Sequence, residues 1–309
     1  MSAKRVVWAP PFIAPMLDDA YEIVQTPNDP AERAAFIRDV APRIEAAATF
    51  GNAMGKDVLD AAKNLKLIAL FSAGYDTFDP PALKARGITL TNASGVNATD
   101  VADVAIGLMI STLRGIAAGD ARVRAGQFRG GGGQSKRIRG RKFGVVGLGE
   151  IGSAAAERAK AFGMDVAWTG PRPKPNAPYP YYPSLIELAH WCDVLCVCTR
   201  ADPGTEKMIS KDVIEAIGPD GILVNISRGS VVDEDALIAA LKDKKIGGAG
   251  LDVFEQEPTP ADRWKDVPNT TLTPHFGGGT RESLQEAFAL VAENIRRHFA
   301  GEPPQNIVN

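Results

Sequence analysis

The sequence predicts an α/β protein of two domains with parallel sheets. Three observations carry this. Strand-like and helix-like segments alternate along most of the chain, the order that builds a parallel sheet through crossover helices. Three glycines, Gly147, Gly149 and Gly152, follow one apolar strand and open one helix-like run, as a phosphate-binding turn requires. The length, 309 residues, suits two domains at roughly 150 residues each.

The elements follow in order. Residues 5–9 form a first strand, ended by Pro10 and Pro11. A helix is expected over 31–40, a strand over 45–50, a helix over 57–63 and a buried strand over 67–71. A short helix starts near the prolines at 80 and runs to 86, with a strand over 88–91. This first unit ends near Asn92. Residues 99–124 read as the longest helix, because Val101, Val104, Ala105, Leu108 and Thr112 recur at helical spacing. Arg122 and Arg124 suit its C-terminal dipole. Residues 126–142 hold four consecutive glycines and then five basic residues, and are expected to be a solvated, mobile connector. The second unit begins at Lys142. Strands are expected over 143–146, 164–168, 194–198, 222–226, 248–251 and 271–273. Helices are expected over 153–162, 184–191, 210–217 and 233–242, and a final one over 282–299.

Composition removes several classes. With 45% hydrophobic and 23% charged residues, the chain is an ordinary globular protein. A net charge of −2 gives no electrostatic case for nucleic acid or a membrane as partner. No apolar run reaches the roughly 18 residues of a membrane span. The N-terminus lacks the apolar core of a signal peptide, so a cytoplasmic location is expected. Cys192, Cys196 and Cys198 are an odd, clustered set, expected to be buried and inert. They form no disulfide framework and no metal site, and no metal is expected.

The glycines have separate physical duties. Gly147 permits the tight turn off the strand. Gly149 lets a pyrophosphate approach the backbone. Gly152 lets the helix pack close to the strand, with its N-terminus facing the anion. Two further stretches could carry chemistry. Asn225-Ile226-Ser227-Arg228-Gly229 follows a buried strand, where an arginine can clamp a carboxylate through two parallel hydrogen bonds. His275 lies between a strand and a glycine-rich loop, with several acids upstream at 252–257, and a histidine beside a carboxylate is an acid–base catalyst suited to neutral pH. His190 and His298 lie in helices and are expected to be surface or dipole-complementing residues.

Five stretches together resemble the D-2-hydroxyacid dehydrogenase family. They are SAGYDTFD (72–79), VGLGEIG (146–152), NISRGSVVDEDAL (225–237), GGAGLDVFEQEP (247–258) and LTPHFGG (272–278). Within the family the chain is most similar to NADP-dependent glyoxylate/hydroxypyruvate and hydroxyphenylpyruvate reductases. The resemblance implies two doubly wound domains, Rossmann-like/flavodoxin-like, with parallel sheets. The dinucleotide domain, residues 99–282, is then inserted in a substrate domain of residues 1–98 and 283–309.

It also implies roles. Arg228 holds the substrate carboxylate and polarises the keto oxygen. His275 protonates that oxygen as hydride arrives, and Glu257 pairs with His275, orienting the ring and keeping the acid loaded. The backbone of Ser72, Ala73 and Gly74 meets the substrate carboxylate. Gly147, Leu148, Gly149, Glu150, Ile151 and Gly152 form the cofactor turn. Thr199, Thr205 and Ser227 line the cofactor with His275, and Asp252 lies near the nicotinamide carboxamide. The usual acid closing the second strand of the dinucleotide domain is absent, and Gly170 stands there. With Arg172 and Lys174 nearby, NADPH is expected to be preferred, with NAD possible. Phe128 is the one nearby substitute for an aromatic that some relatives lend to a neighbouring subunit.

The expected activity is reduction of a small 2-keto acid to the D-2-hydroxy acid, by a homodimer. Two alternatives stay open. One is an NAD-dependent dehydrogenase acting on another substrate, of phenylpyruvate or phosphoglycerate type. The other is a non-catalytic dinucleotide-sensing corepressor.

Overall fold

The computed structural model describes residues 4–17, 19–128 and 135–309, and they divide into two compact units. Unit 1 comprises residues 1–97 and 280–309, and unit 2 residues 98–279.

Unit 1 starts with β1 (Arg5–Trp8), β2 (Tyr21–Val24), α1 (Pro30–Asp39), β3 (Ala46–Thr49), α2 (Lys56–Ala61), β4 (Leu67–Leu70), α3 (Pro80–Ala85) and β5 (Thr89–Thr91). Its parallel sheet runs in the order β2-β1-β3-β4-β5, the flavodoxin-like arrangement. β3 and β4 are buried along their whole length, which is why AAAT and LIAL read as apolar runs without alternation. Local chemistry fixes the helix starts. The Asp29 carboxylate accepts from the N–H groups of Ala31 and Glu32, and Asp79 accepts from Ala82 N–H. Each is followed by a proline at the first helical position, where the missing N–H costs nothing. β2 is absent from the sequence reading. It is a half-buried edge strand of four residues with no core-facing stripe to announce it.

Unit 2 opens with α4 (Ala98–Arg114) and α5 (Ile116–Arg124). The expected single helix over 99–124 is therefore corrected to two, bent by 63°. Gly115 sits between them in the left-handed region at φ +63°. A side chain there would meet nothing within 4 Å, so the backbone conformation is what calls for glycine. No single described helix is long and apolar enough to cross a membrane. α4 and α5 pass such a test only together, and α4 is a core helix, with Val101, Ala105, Leu108 and Met109 buried.

The connector reading is also corrected where it can be seen. Residues 129–134, which include the glycine run, lie outside the described residues. Beyond them three of the five basic residues are tied down, while Arg137 and Arg139 are exposed. Lys136 pairs with Asp220 at 2.9 Å, Arg141 pairs with Asp193 at 3.1 Å, and Lys142 lies over the Trp191 ring.

The unit continues as β6 (Lys142–Val146), α6 (Glu150–Ala161), β7 (Asp165–Thr169), α7 (Leu185–Trp191), β8 (Val194–Val197), α8 (Lys211–Ile217), β9 (Ile222–Asn225), α9 (Glu234–Lys242), β10 (Gly248–Leu251) and β11 (Thr270–Leu272). Its sheet is parallel, in the order β11-β10-β9-β8-β6-β7. One face carries a core with α4 and α6, the other with α7, α8 and α9. The winding reverses between β6 and β8. Their carboxyl ends are the topological switch point, where open α/β sheets bind ligands.

The chain then returns to unit 1 through α10 (Arg281–Ala300), at 20 residues the longest helix among the described residues. Val291 and Ile295 bury its apolar stripe against Val7, Ala46, Ala48, Leu67 and Ala69.

Candidate active site

The switch point is built by the glycine turn after β6. Gly147 is at φ +92°, and a Cβ there would stand 2.9 Å from the Cα of Thr199, the residue pair closing the loops after β6 and β8. At Gly152 a Cβ would lie 2.1 Å from the carbonyl oxygen of Gly147, so only glycine lets α6 pack on the turn. At Gly149 a Cβ would meet nothing within 4 Å. Gly149 is also the N-cap of α6, a position that bears no capping side chain. The turn thus presents open space and a helix N-terminus, which fits a pyrophosphate. Gly152→Ala should cost about 1–3 kcal/mol through overpacking against rigid backbone. It should also weaken dinucleotide binding, which thermal unfolding and a fluorescence titration with NADPH would show.

Around this turn, Gly170 follows β7 without a side chain, and its carbonyl accepts from the Tyr181 hydroxyl at 2.9 Å. Arg172 is exposed. Lys174 donates to the Leu148 carbonyl at 2.5 Å, which brings one basic side chain onto the glycine turn itself. The Thr205 hydroxyl closes its own loop, donating to the carbonyls of Arg200 and Asp202 at 2.9 and 3.0 Å.

The other candidates project from the carboxyl ends of β9, β10 and β11. After β9, the buried Asn225 organises the loop. Its Oδ1 accepts from the N–H and hydroxyl of Ser227 at 3.0 and 2.9 Å, and its Nδ2 donates to the Arg228 carbonyl at 3.0 Å. Arg228 is half-buried, and its Nη1 donates to the Ser227 carbonyl at 2.7 Å. A Cβ on Gly229 would stand 1.8 Å from the Phe254 carbonyl carbon, so this loop lies directly on the one after β10.

After β10 and β11 come the acid and the histidine. His275 Nδ1 and Glu257 Oε2 are 2.6 Å apart. The other Glu257 oxygen accepts from Phe254 N–H at 3.0 Å, so the carboxylate is fixed at both oxygens. His275 is at φ +51°, a left-handed conformation unusual for a residue with a side chain. Asp252 holds it there. Buried to 2% exposure, its carboxylate accepts from Thr273 Oγ1 at 2.6 Å, Phe276 N–H at 3.1 Å and Gly277 N–H at 2.9 Å. The contacts around Asp252 bind the histidine loop, a duty the sequence reading did not assign. The cysteines lie in β8 and its flanks. Cys192 and Cys196 are buried, and burial beside Asp193 pushes the Cys192 thiol up to about 12.

Ser72, Ala73 and Gly74 follow β4 in unit 1. Their three carbonyls are engaged within that unit, by Ala93 N–H, Asn92 Nδ2 and the Ser72 hydroxyl, at 3.0, 2.7 and 2.7 Å. The loop is thereby fixed in shape.

A doubly wound unit with a glycine turn at its switch point, and an arginine and a histidine–carboxylate pair at the same sheet edge, is the constitution of a nicotinamide-dependent oxidoreductase. Residues 106–277 match the family described as D-isomer specific 2-hydroxyacid dehydrogenase, NAD binding domain. The chain belongs to that family and is an NAD(P)-dependent 2-keto acid reductase.

Several relatives show the likeness over most of the chain. It is 38% identical to hydroxyphenylpyruvate reductase of Plectranthus scutellarioides over 294 residues, 94% of each chain. It is 39% identical to glyoxylate/hydroxypyruvate reductase A of Arabidopsis thaliana over 259 residues, covering 82% of this chain and 83% of that one. Among solved structures, it resembles the NADPH-dependent glyoxylate/hydroxypyruvate reductase of Sinorhizobium meliloti in complex with NADP and malonate. There the TM-score is 0.91 and the identity 34%, over 99% of this chain and 97% of that one.

Proposed function

We propose that the protein reduces a small 2-keto acid of the glyoxylate/hydroxypyruvate type to the D-2-hydroxy acid, with NADPH as donor and His275 as acid. The contact that carries this reading is the one at 2.6 Å between His275 Nδ1 and Glu257 Oε2, at the sheet edge that also bears Arg228. With Nδ1 engaged, the ring offers Nε2 to the keto oxygen. Arg228 grips the carboxylate and polarises the adjacent carbonyl. A bound nicotinamide supplies the hydride. His275 gives its proton to the forming alkoxide, and Glu257 balances the imidazolium before transfer.

An assay of NADPH and NADH oxidation against glyoxylate, hydroxypyruvate, phenylpyruvate and pyruvate tests this. Fastest turnover of glyoxylate or hydroxypyruvate with NADPH is expected. Binding of dinucleotide without turnover of any of the four would overturn it.

The cofactor preference rests on Gly170. An acid there would bind the ribose 2′-hydroxyl and repel a 2′-phosphate, and glycine does neither. Arg172, two residues on, supplies the charge. Arg172→Ala should raise the Michaelis constant for NADPH about tenfold, the worth of one charge-assisted hydrogen bond at an exposed site, and leave that for NADH nearly unchanged. Equal changes for both cofactors would remove Arg172 from the 2′-phosphate site.

The assembly we propose is a homodimer. α5 has no buried residue, and it exposes Ile116 by 54% and Val123 by 59%, an apolar surface suited to a second copy. Light scattering of the purified chain measures its mass directly.

A further inference from the structure

An ion pair between a buried carboxylate and a half-buried arginine stands beside the candidate catalytic loop without touching the candidate catalytic groups. Glu234, the first residue of α9, has a side chain only 3% exposed, and its Oε2 lies 2.7 Å from Arg263 Nε. A buried carboxylate is costly unless each oxygen finds a partner. The second oxygen, Oε1, accepts the backbone N–H of Glu255 at 2.7 Å.

That N–H is the informative contact. The preceding N–H, of Phe254, is held by Glu257 Oε1. Two consecutive amides of one loop are thus gripped by two carboxylates, one of which faces His275. Arg263 anchors the far end. Its Nη2 reaches Asp235 at 2.9 Å and lies 4.0 Å from Glu255 Oε2, while Lys207 holds Glu255 Oε1 at 3.2 Å. The neighbouring Trp264 packs edge-on against Phe254, with ring centroids 6.0 Å apart. On the other side, Gly229 presses on the Phe254 carbonyl.

We infer that Glu234 and Arg263 are positioning residues for the reduction, which fix the 254–257 backbone so that Glu257 meets His275 Nδ1. The inference rests on the reading of His275 as acid given above. Packing alone would be served as well by an apolar pair of similar volume. A carboxylate bonded to a backbone N–H sets where that backbone stands. A displacement of about 1 Å in such a site can cost on the order of a hundredfold in rate.

The experiment compares the wild-type chain, Glu234→Ala, Arg263→Met, Glu257→Gln and the double variant Glu234→Ala/Glu257→Gln. Glu234→Ala and Arg263→Met should each lower kcat about tenfold, with the Kd for NADPH and the KM for the keto acid within about twofold of wild type. In the Glu257→Gln background, the Glu234 change should add less than about a twofold loss, since both act through one contact. Effects that multiply in the double variant, or a loss confined to melting temperature, would overturn the inference.

Should Glu234→Ala not fold, Glu234→Gln serves in its place. It keeps an acceptor for Glu255 N–H and weakens the arm to Arg263, so about a threefold loss with the same non-additivity is expected.

A second readout needs no turnover. With only three histidines in the chain, the ring nitrogens of His275 can be resolved by 1H–15N spectroscopy. The wild-type neutral ring should carry its proton on Nδ1, facing Glu257. Glu234→Ala should shift population to the Nε2 tautomer, as Glu257→Gln should. An unchanged tautomer would overturn the inference. If no variant or wild type reduces a keto acid, the functional reading falls, and the spectra still decide whether Glu234 positions Glu257.

Discussion

His275→Ala should lower kcat for keto-acid reduction about a thousandfold, within the range a positioned general acid contributes. The Kd for NADPH should stay within a few-fold of wild type. The expectation follows from what the ring does and what it leaves alone. His275 is exposed by 43% at the side chain and bonded to Glu257, while the glycine turn that fits the dinucleotide is made by residues 147–152. On the proposed reading, removing the imidazole takes away the proton donor, and charge would accumulate on the keto oxygen beside Arg228.

The backbone complicates the experiment. At φ +51°, alanine bears the cost of the left-handed conformation, which asparagine adopts more readily. His275→Asn therefore belongs beside His275→Ala. If both lose turnover equally and both still melt near the wild-type temperature, the loss is chemical. If activity stays within tenfold of wild type, water or another group delivers the proton.

How much of this was legible in the sequence depends on where each signal lives. Strands buried on both faces wrote themselves as apolar runs, as in VVW of β1, LIAL of β4 and VLCV of β8. The glycine turn was legible because each glycine answers a local demand, and two of the three demands can be measured as clashes. β2 was not, because an edge strand that is half-buried throughout has no periodicity to read. Nor was the break at Gly115. Apolar residues continue at helical spacing up to it, and a glycine inside a helical pattern does not declare which backbone region it occupies.

The candidate site divides the same way. Residue types and positions at strand ends pointed to Arg228 and His275. The direction a side chain faces is a property of the folded loops. Asp252 and His275 are 23 positions apart, and no local pattern shows that the carboxylate binds Phe276 and Gly277 N–H. Asn225 and Glu234 are the same kind of residue. Each is a buried polar group that holds a backbone atom of a loop besides a side-chain partner, and backbone atoms leave no mark on residue type. Lys136 and Arg141 read as solvated because their partners, Asp220 and Asp193, come from distant loops.

Arg228→Lys should reduce kcat/KM for the keto acid about a hundredfold, although it keeps the charge. Arginine presents a planar fork of donors matched to a carboxylate, whereas lysine is a compact point charge on a flexible stem. One charge-assisted hydrogen bond is worth about 1.5–3 kcal/mol, and every 1.36 kcal/mol is tenfold in rate. The local structure sharpens the contrast. Arg228 Nη1 is anchored on the Ser227 carbonyl, and the Arg228 carbonyl is held by Asn225, so guanidinium and backbone are both set in place. An ammonium cannot keep that anchor and bridge a carboxylate with parallel bonds. The loss should fall on KM and kcat together, because on the proposed reading the same group binds the substrate and polarises its carbonyl. NADPH affinity should be unchanged, since the glycine turn is untouched. Arg228→Ala should lose a further factor of about ten, and added guanidine should restore part of it. A lysine variant with near-normal kcat/KM for glyoxylate would mean that another group grips the carboxylate.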